Sequence, residues 1–154
     1  MPKFKYSFTN YEALTQVRAS GREVDASPKS AREVCETIKG MSIVQAKKFL
    51  QDVLFKKQVI PFRRYTKEVP HRRSHFKFHV GRYPVKAAKE VLKVIGNLEA
   101  NAEFKGLDTQ NIIITHAATM KGMKIKRYVP RAHGRSSPKF NSLIHIEILG
   151  KEVQ

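Results

Sequence analysis

The chain has 154 residues, which suits a single domain, and its 30 lysines and arginines outnumber 13 aspartates and glutamates to give a formal net charge of +17. This charge favours a polyanionic partner, nucleic acid first and an anionic membrane surface second. No apolar run approaches the roughly 20 residues of a membrane span, and the first residues lack the apolar core of a secretory signal. The single cysteine excludes an internal disulfide and a multi-cysteine zinc site, so we expect one cytoplasmic domain over residues 1–154.

The first part of the chain predicts a weak strand and then a helix. Residues 1–15 are interpreted as a loose aromatic lead that anchors either to the body or to a partner, and Thr15 to Val24 has weak strand character. Ser27 is the predicted N-cap of the helix, with Pro28 at its first position and Gly40 at its end. One apolar face follows at helical spacing, formed by Ala31, Val34, Cys35 and Ile38. Cys35 is therefore interpreted as a core residue and not as a reactive thiol.

Two further helices are predicted, on either side of an irregular stretch. Ser42 and Gln45 form a capping box that begins the second helix, whose apolar stripe is Ala46, Phe49, Leu50, Val53 and Leu54. The short connection predicts that the first two helices pack as neighbours. The third and longest helix runs from Pro84 to Gly106, and its stripe is Ala88, Val91, Leu92, Ile95, Leu98 and Ala102.

A basic insertion, residues 56–84, separates the second helix from the third. It has no helical stripe, and no acid occurs from Val69 to Lys89. Within this acid-free span basic and aromatic side chains alternate: Arg72, Arg73, Lys77, Arg82, Lys86 and Lys89 with Phe76, Phe78 and Tyr83. Guanidinium groups pair with phosphate and rings stack on exposed bases, so we interpret the insertion as an RNA-binding segment. In the alternative interpretation, the insertion is a solvated surface loop whose aromatic rings pack into the core.

Three histidines in the insertion, His71, His75 and His79, are spaced four residues apart. On a helix this spacing would align them as ligands of a metal ion. Their arginine and lysine neighbours repel a cation, and Gly81 and Pro84 argue against a helix that would align them. Hydrogen bonding to RNA or partial burial is the preferred interpretation, and we expect no metal site.

The most distinctive stretch is a predicted β-hairpin near the end of the chain. Ile112 to Thr115 and Leu143 to Ile148 read as strands, and no acid occurs between Asp108 and Glu147. The connecting segment carries glycine and proline turn signals among seven basic residues from Lys121 to Lys139. With arms of about a dozen residues its tip would stand on the order of 40 Å from its base. A lone two-stranded ribbon is marginal in water, so we expect the free tip to be disordered and to order only against a polyanion.

Catalytic signatures are lacking in the sequence. There is no glycine-rich phosphate loop, no supported Ser/His/Asp arrangement and no paired-carboxylate pocket. Glu90, Glu99 and Glu103 are interpreted as solubilising residues of the third helix. We therefore expect no enzyme activity and no cofactor, and a chemistry of charge neutralisation, stacking and shape.

Several stretches together resemble one family, the universal large-subunit ribosomal protein numbered twenty-two, called seventeen in eukaryotes. They are Ser27-Pro28-Lys29-Ser30-Ala31-Arg32, Ile38-Lys39-Gly40, Asn101-Ala102-Glu103, Gly106-Leu107-Asp108 and, above all, Lys126-Arg127-Tyr128-Val129-Pro130-Arg131-Ala132-His133-Gly134-Arg135. The likeness covers about residues 15–150, and the insertion resembles the archaeal and eukaryotic branch.

This resemblance implies an α+β fold of three helices packed on a small antiparallel three-stranded sheet, with a long extended β-hairpin. The body is expected over about residues 12–115 and 140–154, and the hairpin over about 116–140. The resemblance also implies that the hairpin crosses ribosomal RNA to the wall of the peptide exit tunnel. Its partners would be large-subunit ribosomal RNA, the neighbouring large-subunit protein numbered four and other proteins of the subunit, and the nascent peptide. The tunnel tip would be Arg127, Tyr128, Val129, Pro130, Arg131, Ala132, His133, Gly134 and Arg135.

Three functions are compared on this basis. The preferred one is a structural constituent of the large ribosomal subunit that binds its RNA, supports assembly and lines the tunnel, with Arg127, Arg131 and Arg135 clamping phosphates. The alternatives are an RNA-modifying or RNA-processing factor that grips RNA with a basic arm, and an anionic-lipid binder. The predicted RNA-binding side chains are Lys121, Lys124, Lys126, Arg127, Tyr128, Arg131, His133, Arg135 and Lys139 in the hairpin, and Arg32, Arg63, Arg64, Arg72, Arg73 and Arg82 elsewhere.

Overall fold

The computed structural model describes residues 5–72 and 76–153. The elements follow in chain order: β1 (Gln16–Val24), α1 (Pro28–Ile38), α2 (Ile43–Leu54), β2 (Ile60–Pro61), β3 (Gly81–Arg82), α3 (Val85–Phe104), a 3-10 turn (Thr109–Asn111), β4 (Ile112–Ile125), β5 (Tyr128–Pro130), β6 (Ser136–Pro138) and β7 (Asn141–Glu152).

The body is built on an antiparallel sheet of three strands in the order β1-β7-β4. β7 takes the centre because Ile144, Ile146 and Ile148, at every second position, are all fully buried. Register shifts break the ladders after Gly21 in β1 and after Ile114 and Lys121 in β4, as β-bulges do. Three helices with this three-stranded sheet confirm the predicted α+β fold.

The helices cover one face of the sheet. α1 contacts β4, α3 lies across β1 and β7, and α2 packs against α3. The predicted stripes are largely confirmed, because Ala31, Val34, Cys35 and Ile38 of α1 are buried, as are Ala46, Leu50 and Val53 of α2 and Ala88, Val91, Ile95, Leu98 and Ala102 of α3. This apolar layer is the core of the molecule.

The helix ends follow the predicted signals with one exception. The Ser42 hydroxyl accepts a hydrogen bond from the Gln45 backbone N–H (3.3 Å), which caps α2 as predicted. Ser27 lies at the N-cap of α1, but its side chain makes no capping hydrogen bond. Gly40 adopts φ +82° after α1, and its N–H donates to the Ile114 carbonyl (2.8 Å). The end of α1 is thereby tied to β4.

The segment 5–15, which precedes β1, packs against the sheet, and its Ser7 and Phe8 lie on the face opposite the helices. The Arg18 guanidinium of β1 lies 4.8 Å from the Tyr6 ring centroid and 4.5 Å from that of Tyr11. The Ser7 hydroxyl donates to the Glu147 carboxylate (2.8 Å), and the Phe8 ring contacts that of His116 (5.6 Å between centroids). These contacts anchor residues 5–15 to the body, so for this part of the lead the description as loose was wrong.

Among residues 5–72 and 76–153, no helix has both the length and the apolar character that crossing a bilayer requires.

Candidate nucleic-acid interface

The hairpin extends directly from the two longest strands of the sheet. β4 and β7 stay paired as far as Ile125 and Asn141, and a second ladder then pairs Tyr128 with Pro138 and Pro130 with Ser136. His133 lies nine positions beyond Lys124 in the sequence, which at about 3.3 Å per extended residue gives the tip a reach of up to roughly 30 Å from Lys124.

The tip is a short turn between β5 and β6. The Arg131 N–H donates to the Arg135 carbonyl (2.8 Å), and the Arg135 N–H donates to the Ala132 carbonyl (3.4 Å). His133 and Gly134 between them both have positive φ, +58° and +64°. Glycine adopts this conformation freely, and histidine is among the side chains that tolerate it best. The turn therefore leaves Arg131, His133 and Arg135 exposed at the extreme end.

Positive charge on the hairpin is uncompensated. Its acid-free segment carries Lys121, Lys124, Lys126, Arg127, Arg131, Arg135 and Lys139, all exposed. Within ranges 5–72 and 76–153, none of these side chains has an ion-pair or hydrogen-bond partner. Exposed cations without counter-charges repel one another and attract polyanions. Tyr128 among them is 61% exposed, and its ring contacts the edge of Phe140 (5.8 Å between centroids).

The acids of the body, by contrast, are mostly paired with body cations. Ion pairs join Arg32 to Glu33, Lys39 to Glu36, Lys47 to Glu99, Lys86 to Asp25, Lys93 to Glu90, Arg22 to Glu147 and Lys151 to Glu12. Glu90 and Glu99 thus pair with specific lysines, a role that their interpretation as solubilising residues did not include. The net charge of the molecule is consequently concentrated on the hairpin and the insertion.

Two acids hold the root of the hairpin, where it leaves the body. The Glu23 carboxylate accepts the Met123 N–H (3.2 Å) and lies 3.3 Å from His145 Nε2. The Asp25 carboxylate accepts from the Asn141 side-chain amide (2.9 Å) and from Lys86 Nζ (2.5 Å). These hydrogen bonds, that of Lys86 foremost, lower the pKa of Asp25. No sequence pattern predicts this arrangement, because it depends on Glu23 adopting φ +47° beside the β1 bulge.

The basic insertion is held to the body by a short ladder and by one buried acid. β2 pairs with β3, joining Ile60 to Arg82. The Glu33 carboxylate of α1 accepts the backbone N–H groups of Arg63 (3.2 Å) and Arg64 (3.1 Å), and both arginine side chains are exposed. Arg32 of α1, half-buried, pairs with the same carboxylate.

The aromatic rings of the insertion divide between the two interpretations. Phe76 packs edge-on against Phe49 of α2 (5.7 Å between centroids), and Phe78 packs against the core, as the alternative of inward-facing rings predicts. Tyr83 differs, because the exposed Arg72 guanidinium lies 4.8 Å from its ring centroid. The predicted binding residue Arg73 lies outside the described residues.

The histidines of the insertion do not assemble a metal site in the described part of the chain. The His71 and His79 rings meet edge to face, 5.3 Å between centroids, and His75 lies outside the described residues. No group of three or more histidine, cysteine or acidic side chains suited to a metal occurs among residues 5–72 and 76–153.

A cleft of about 440 Å³ lies between the start of α1 and the first part of the insertion. It is lined by Ser27, Lys29, Ser30, Phe62, Arg64, Tyr65, Thr66, Lys67, Glu68, Val69 and Arg82. The predicted binding residues Arg64 and Arg82 meet here, whereas the hairpin residues form a separate surface. Sequence reasoning missed Lys29, Tyr65 and Glu68, whose proximity arises only when the insertion folds over α1.

A small α+β body with a protruding, uncompensated basic hairpin and a basic cleft belongs to the class of proteins that bind a polyanion over an extended surface. Residues 19–151 match the sequence model of the family described as ribosomal protein L22p/L17e, and the chain belongs to that family.

Relatives of similar length support the archaeal type. The chain is 46% identical to the large ribosomal subunit protein uL22 of Archaeoglobus fulgidus over 151 residues, 98% of this chain and 97% of the relative. It is 46% identical to that of Methanocaldococcus jannaschii over 99% and 97% of the two chains, and 47% identical to that of Cenarchaeum symbiosum over 99% of each.

Proposed function

We propose that this chain is a non-enzymatic, structural constituent of the large ribosomal subunit that binds large-subunit ribosomal RNA. Family membership supports this, as do the relatives, whose names place them in the large ribosomal subunit. The observation that carries it is the hairpin, whose seven cations have no counter-charge within the described residues. Phosphates supply the missing counter-charge, and released counterions supply much of the affinity. The protein would accordingly act in translation within the cytoplasmic ribosome.

The hairpin, about residues 116–140, is the main RNA-binding arm in this proposal. Arg127, Arg131 and Arg135 clamp phosphates near the tip, because guanidinium groups form paired hydrogen bonds with phosphate oxygens. Tyr128 offers an exposed ring on which a base stacks. The further hairpin contacts are Lys121, Lys124, Lys126, His133 and Lys139.

The remaining contacts come from the body, about residues 12–115 and 140–154, and its insertion at about 56–84. Arg32, Arg63, Arg64, Arg72 and Arg82 bind phosphates around the insertion, and Arg73 joins them from outside the described residues. Because β2, β3 and Glu33 fix the insertion to the body, these side chains form a second surface whose position relative to the sheet is set before RNA is bound. Two surfaces on one chain suit a protein that joins separate RNA segments during assembly.

The hairpin tip, Arg127 to Arg135, reaches the wall of the peptide exit tunnel in this proposal. Its reach of roughly 30 Å beyond Lys124 supports a role away from the body. There it would lie beside the large-subunit protein numbered four and contact the nascent peptide. This part follows the family resemblance and the extended form of the hairpin.

An RNA-modifying factor is the less favoured function. A catalytic centre requires perturbed titratable groups gathered in a pocket. In the described part of the chain, clear pKa shifts occur at Arg22, Asp25, Cys35 and His116, and none of these lines the 440 Å³ cleft.

Reconstitution of large ribosomal subunits tests the proposal. The full chain should remain with the subunit through a high-salt wash, and the double variant Arg127→Ala/Arg131→Ala should be lost at lower salt. The matched control is Lys48→Ala/Lys89→Ala, which removes two exposed, unpaired cations from the body. Equal loss of both double variants would contradict the role of the hairpin, and failure of the native chain to sediment would contradict the whole function.

A further inference from the structure

The cleft beside α1 has the size and chemistry of a small-ligand site. Its volume of about 440 Å³ lies within the roughly 300–1,000 Å³ of typical ligand pockets. Phe62 and Val69 contribute apolar surface, Ser30 and Thr66 contribute hydroxyl groups, and the rest of the lining is mostly cationic. A flat apolar ligand with an anionic group matches this combination, whereas a metal cation would be repelled.

Two cations and one aromatic ring lie close together in the lining of the cleft. Lys29 Nζ lies 5.6 Å from the centroid of the Tyr65 ring, and the Arg64 guanidinium lies 5.9 Å from it. Tyr65 is half-buried and packs against the core, so its position is fixed by the body. A planar ring beside two cations is the arrangement with which proteins stack an unpaired base and hold its phosphate.

A third cation is fixed by a hydrogen bond to the opposite side of the cleft. The Arg82 guanidinium, on β3, donates to the Glu68 carbonyl (2.6 Å). This bond uses one donor of five and leaves the others for an anion. Lys29, Arg64 and Arg82 come from α1, the insertion and β3, so the cleft exists only in the folded insertion.

One acid in this basic lining is unexpected. Glu68 lines the cleft, and within the described ranges its carboxylate has no ion-pair or hydrogen-bond partner, although four cations (Lys29, Arg64, Lys67 and Arg82) line the same cavity. A carboxylate repels a bare phosphate and accepts hydrogen bonds only. It therefore complements a base edge that presents two adjacent donors, and guanine, with its N1–H and N2–H groups, presents such an edge.

We propose that this cleft binds one unstacked guanine nucleotide of the ribosomal RNA, an inference that rests on the proposed RNA-binding function. The base lies against Tyr65, its Watson–Crick edge donates two hydrogen bonds to Glu68, and its phosphate is held by Lys29, Arg64 and Arg82. The hairpin then supplies phosphate binding without sequence preference, and the cleft supplies recognition of a base.

Titration of the full chain with mononucleotides tests the site directly. At physiological ionic strength, 5′-GMP should shift the backbone amide signals of Ser30, Thr66 and Arg82 saturably. 5′-AMP should bind about tenfold more weakly, the discrimination typical of a bidentate contact to a base edge. Inorganic phosphate should shift these signals least. Equal shifts with GMP and inorganic phosphate, or shifts confined to Lys126–Lys139, would overturn the proposal.

Two variants separate the base-reading and stacking roles. Glu68→Gln should abolish most of the preference for GMP over AMP, whereas Glu103→Gln, the same change at an exposed position of α3, should leave it intact. Tyr65→Leu should weaken GMP binding about tenfold by removing the stacking surface, and Phe104→Leu serves as its control. A preference that survives Glu68→Gln would rule out guanine recognition by this carboxylate.

Failure of this inference is distinguishable from failure of the proposed function. If GMP does not bind but the chain still sediments with large subunits through Arg127 and Arg131, only the cleft assignment is wrong. If the chain neither binds GMP nor sediments with the subunit, both are wrong.

Discussion

Glu33 is a buried carboxylate in a protein with a large excess of positive charge. Its side chain accepts the N–H groups of Arg63 and Arg64 and pairs with Arg32 Nη1 (3.2 Å). A buried carboxylate is tolerated when hydrogen bonds and a counter-charge replace its water. Glu33 thus fixes the start of the insertion on α1 and positions Arg64 at the cleft.

Removal of this carboxylate should destabilise the protein. Glu33→Ala should lower the free energy of unfolding by about 2 kcal/mol, because two backbone donors and Arg32 lose their acceptor. Glu36→Ala, three residues away and 38% exposed, should change it by less than about 0.5 kcal/mol. Urea denaturation of both variants measures the difference, and equal losses would show that Glu33 has no special role.

Cys35 should make the protein sensitive to alkali. Burial raises the pKa of its thiol from the ordinary 9.0 to about 12. Below pH 9 the Cys35 thiol keeps its proton in both the folded and the unfolded chain. Between pH 9 and 12 only the unfolded chain releases it, so the stability contributed by this group falls as pH rises, by up to about 1.4 kcal/mol per pH unit.

The test compares the native chain with Cys35→Ala across this range of pH. The free energy of unfolding should fall more steeply with pH in the native chain, since the variant lacks this titration. Parallel pH profiles would contradict the assigned burial. At neutral pH the thiol should resist iodoacetamide until denaturant is added.

The burial of Cys35 was predictable and that of Glu33 was not. Cys35 belongs to a stripe that local helical spacing defines. Glu33 lies beside that stripe, and it is covered only because the insertion, thirty residues further along, folds back over α1. Periodicity reports which face of an element is apolar, and it carries no information on which polar residue a distant loop will cover.

At the scale of elements, the root of the hairpin combines a bulge with two acids. Glu23, at the bulge of β1, accepts from Met123, while Asp25 accepts from Asn141 on the other strand. Each strand of the hairpin is therefore held by its own carboxylate where it leaves the body. The direction of the hairpin is set by these contacts together with the β4–β7 ladder.

Loss of one root contact should loosen the hairpin without unfolding the body. In Glu23→Ala the Met123 amide loses its acceptor, so its hydrogen exchange should accelerate, while the free energy of unfolding changes by less than about 1 kcal/mol because Glu23 is exposed. Glu12→Ala removes an exposed acid that pairs with Lys151 and serves as the control. Unchanged exchange at Met123 would contradict the role of Glu23.

The outer hairpin, residues 126–139, should become ordered only when RNA is bound. An isolated two-stranded ribbon is marginal in water, and the main contacts of β5 and β6 are with each other. In the free protein the amides of residues 126–139 should exchange quickly, and they should become protected once the chain is bound in the subunit. Sharp, protected signals for these residues in the free protein would contradict this prediction.

Elements with strong local signals were predicted well. All three helices begin within two residues of their predicted starts, and α1 and α3 end within two residues of the predicted Gly40 and Gly106, because capping and apolar spacing are local properties. β2 and β3, with two residues each, carry no periodicity that a sequence can reveal. Their pairing is decided by the fold of the insertion between them.

Paired and unpaired charges lie in different regions of the whole molecule. Acids pair with cations in the body, as in the Lys47–Glu99 contact between α2 and α3, and the hairpin has no acid between Lys121 and Lys139. The body can therefore fold without RNA, while the hairpin carries a repulsion that phosphates relieve.

RNA binding should consequently depend steeply on salt. Each phosphate contact contributes about 0.7 to 0.9 to the slope of log affinity against log salt. The triple variant Arg127→Ala/Arg131→Ala/Arg135→Ala should reduce that slope by about two to three, and binding to large-subunit RNA across a salt series measures it. An unchanged slope would mean that these arginines do not contact phosphates.

The sequence left open what the N-terminal segment, residues 1–15, is anchored to. Its aromatic residues indicated an anchor, but not whether the anchor was the body or a partner. The structure places Tyr6 and Tyr11 on Arg18 and Ser7 on Glu147, which alternates with Ile146 and Ile148 along β7 and should therefore face away from the core. Glu147 does so, yet it is fully buried, because a second layer covers that face.

The hairpin root also has a mechanical consequence. Once RNA has ordered the hairpin, its arm of roughly 30 Å acts as a lever, so a rotation of about 10° at Glu23 and Asp25 would move the tip by about 5 Å. That distance is comparable to the width of one amino-acid side chain. Small changes in geometry where β4 and β7 leave the body would therefore be magnified at the tip. The direction of the hairpin thus depends on the contacts of Glu23 and Asp25.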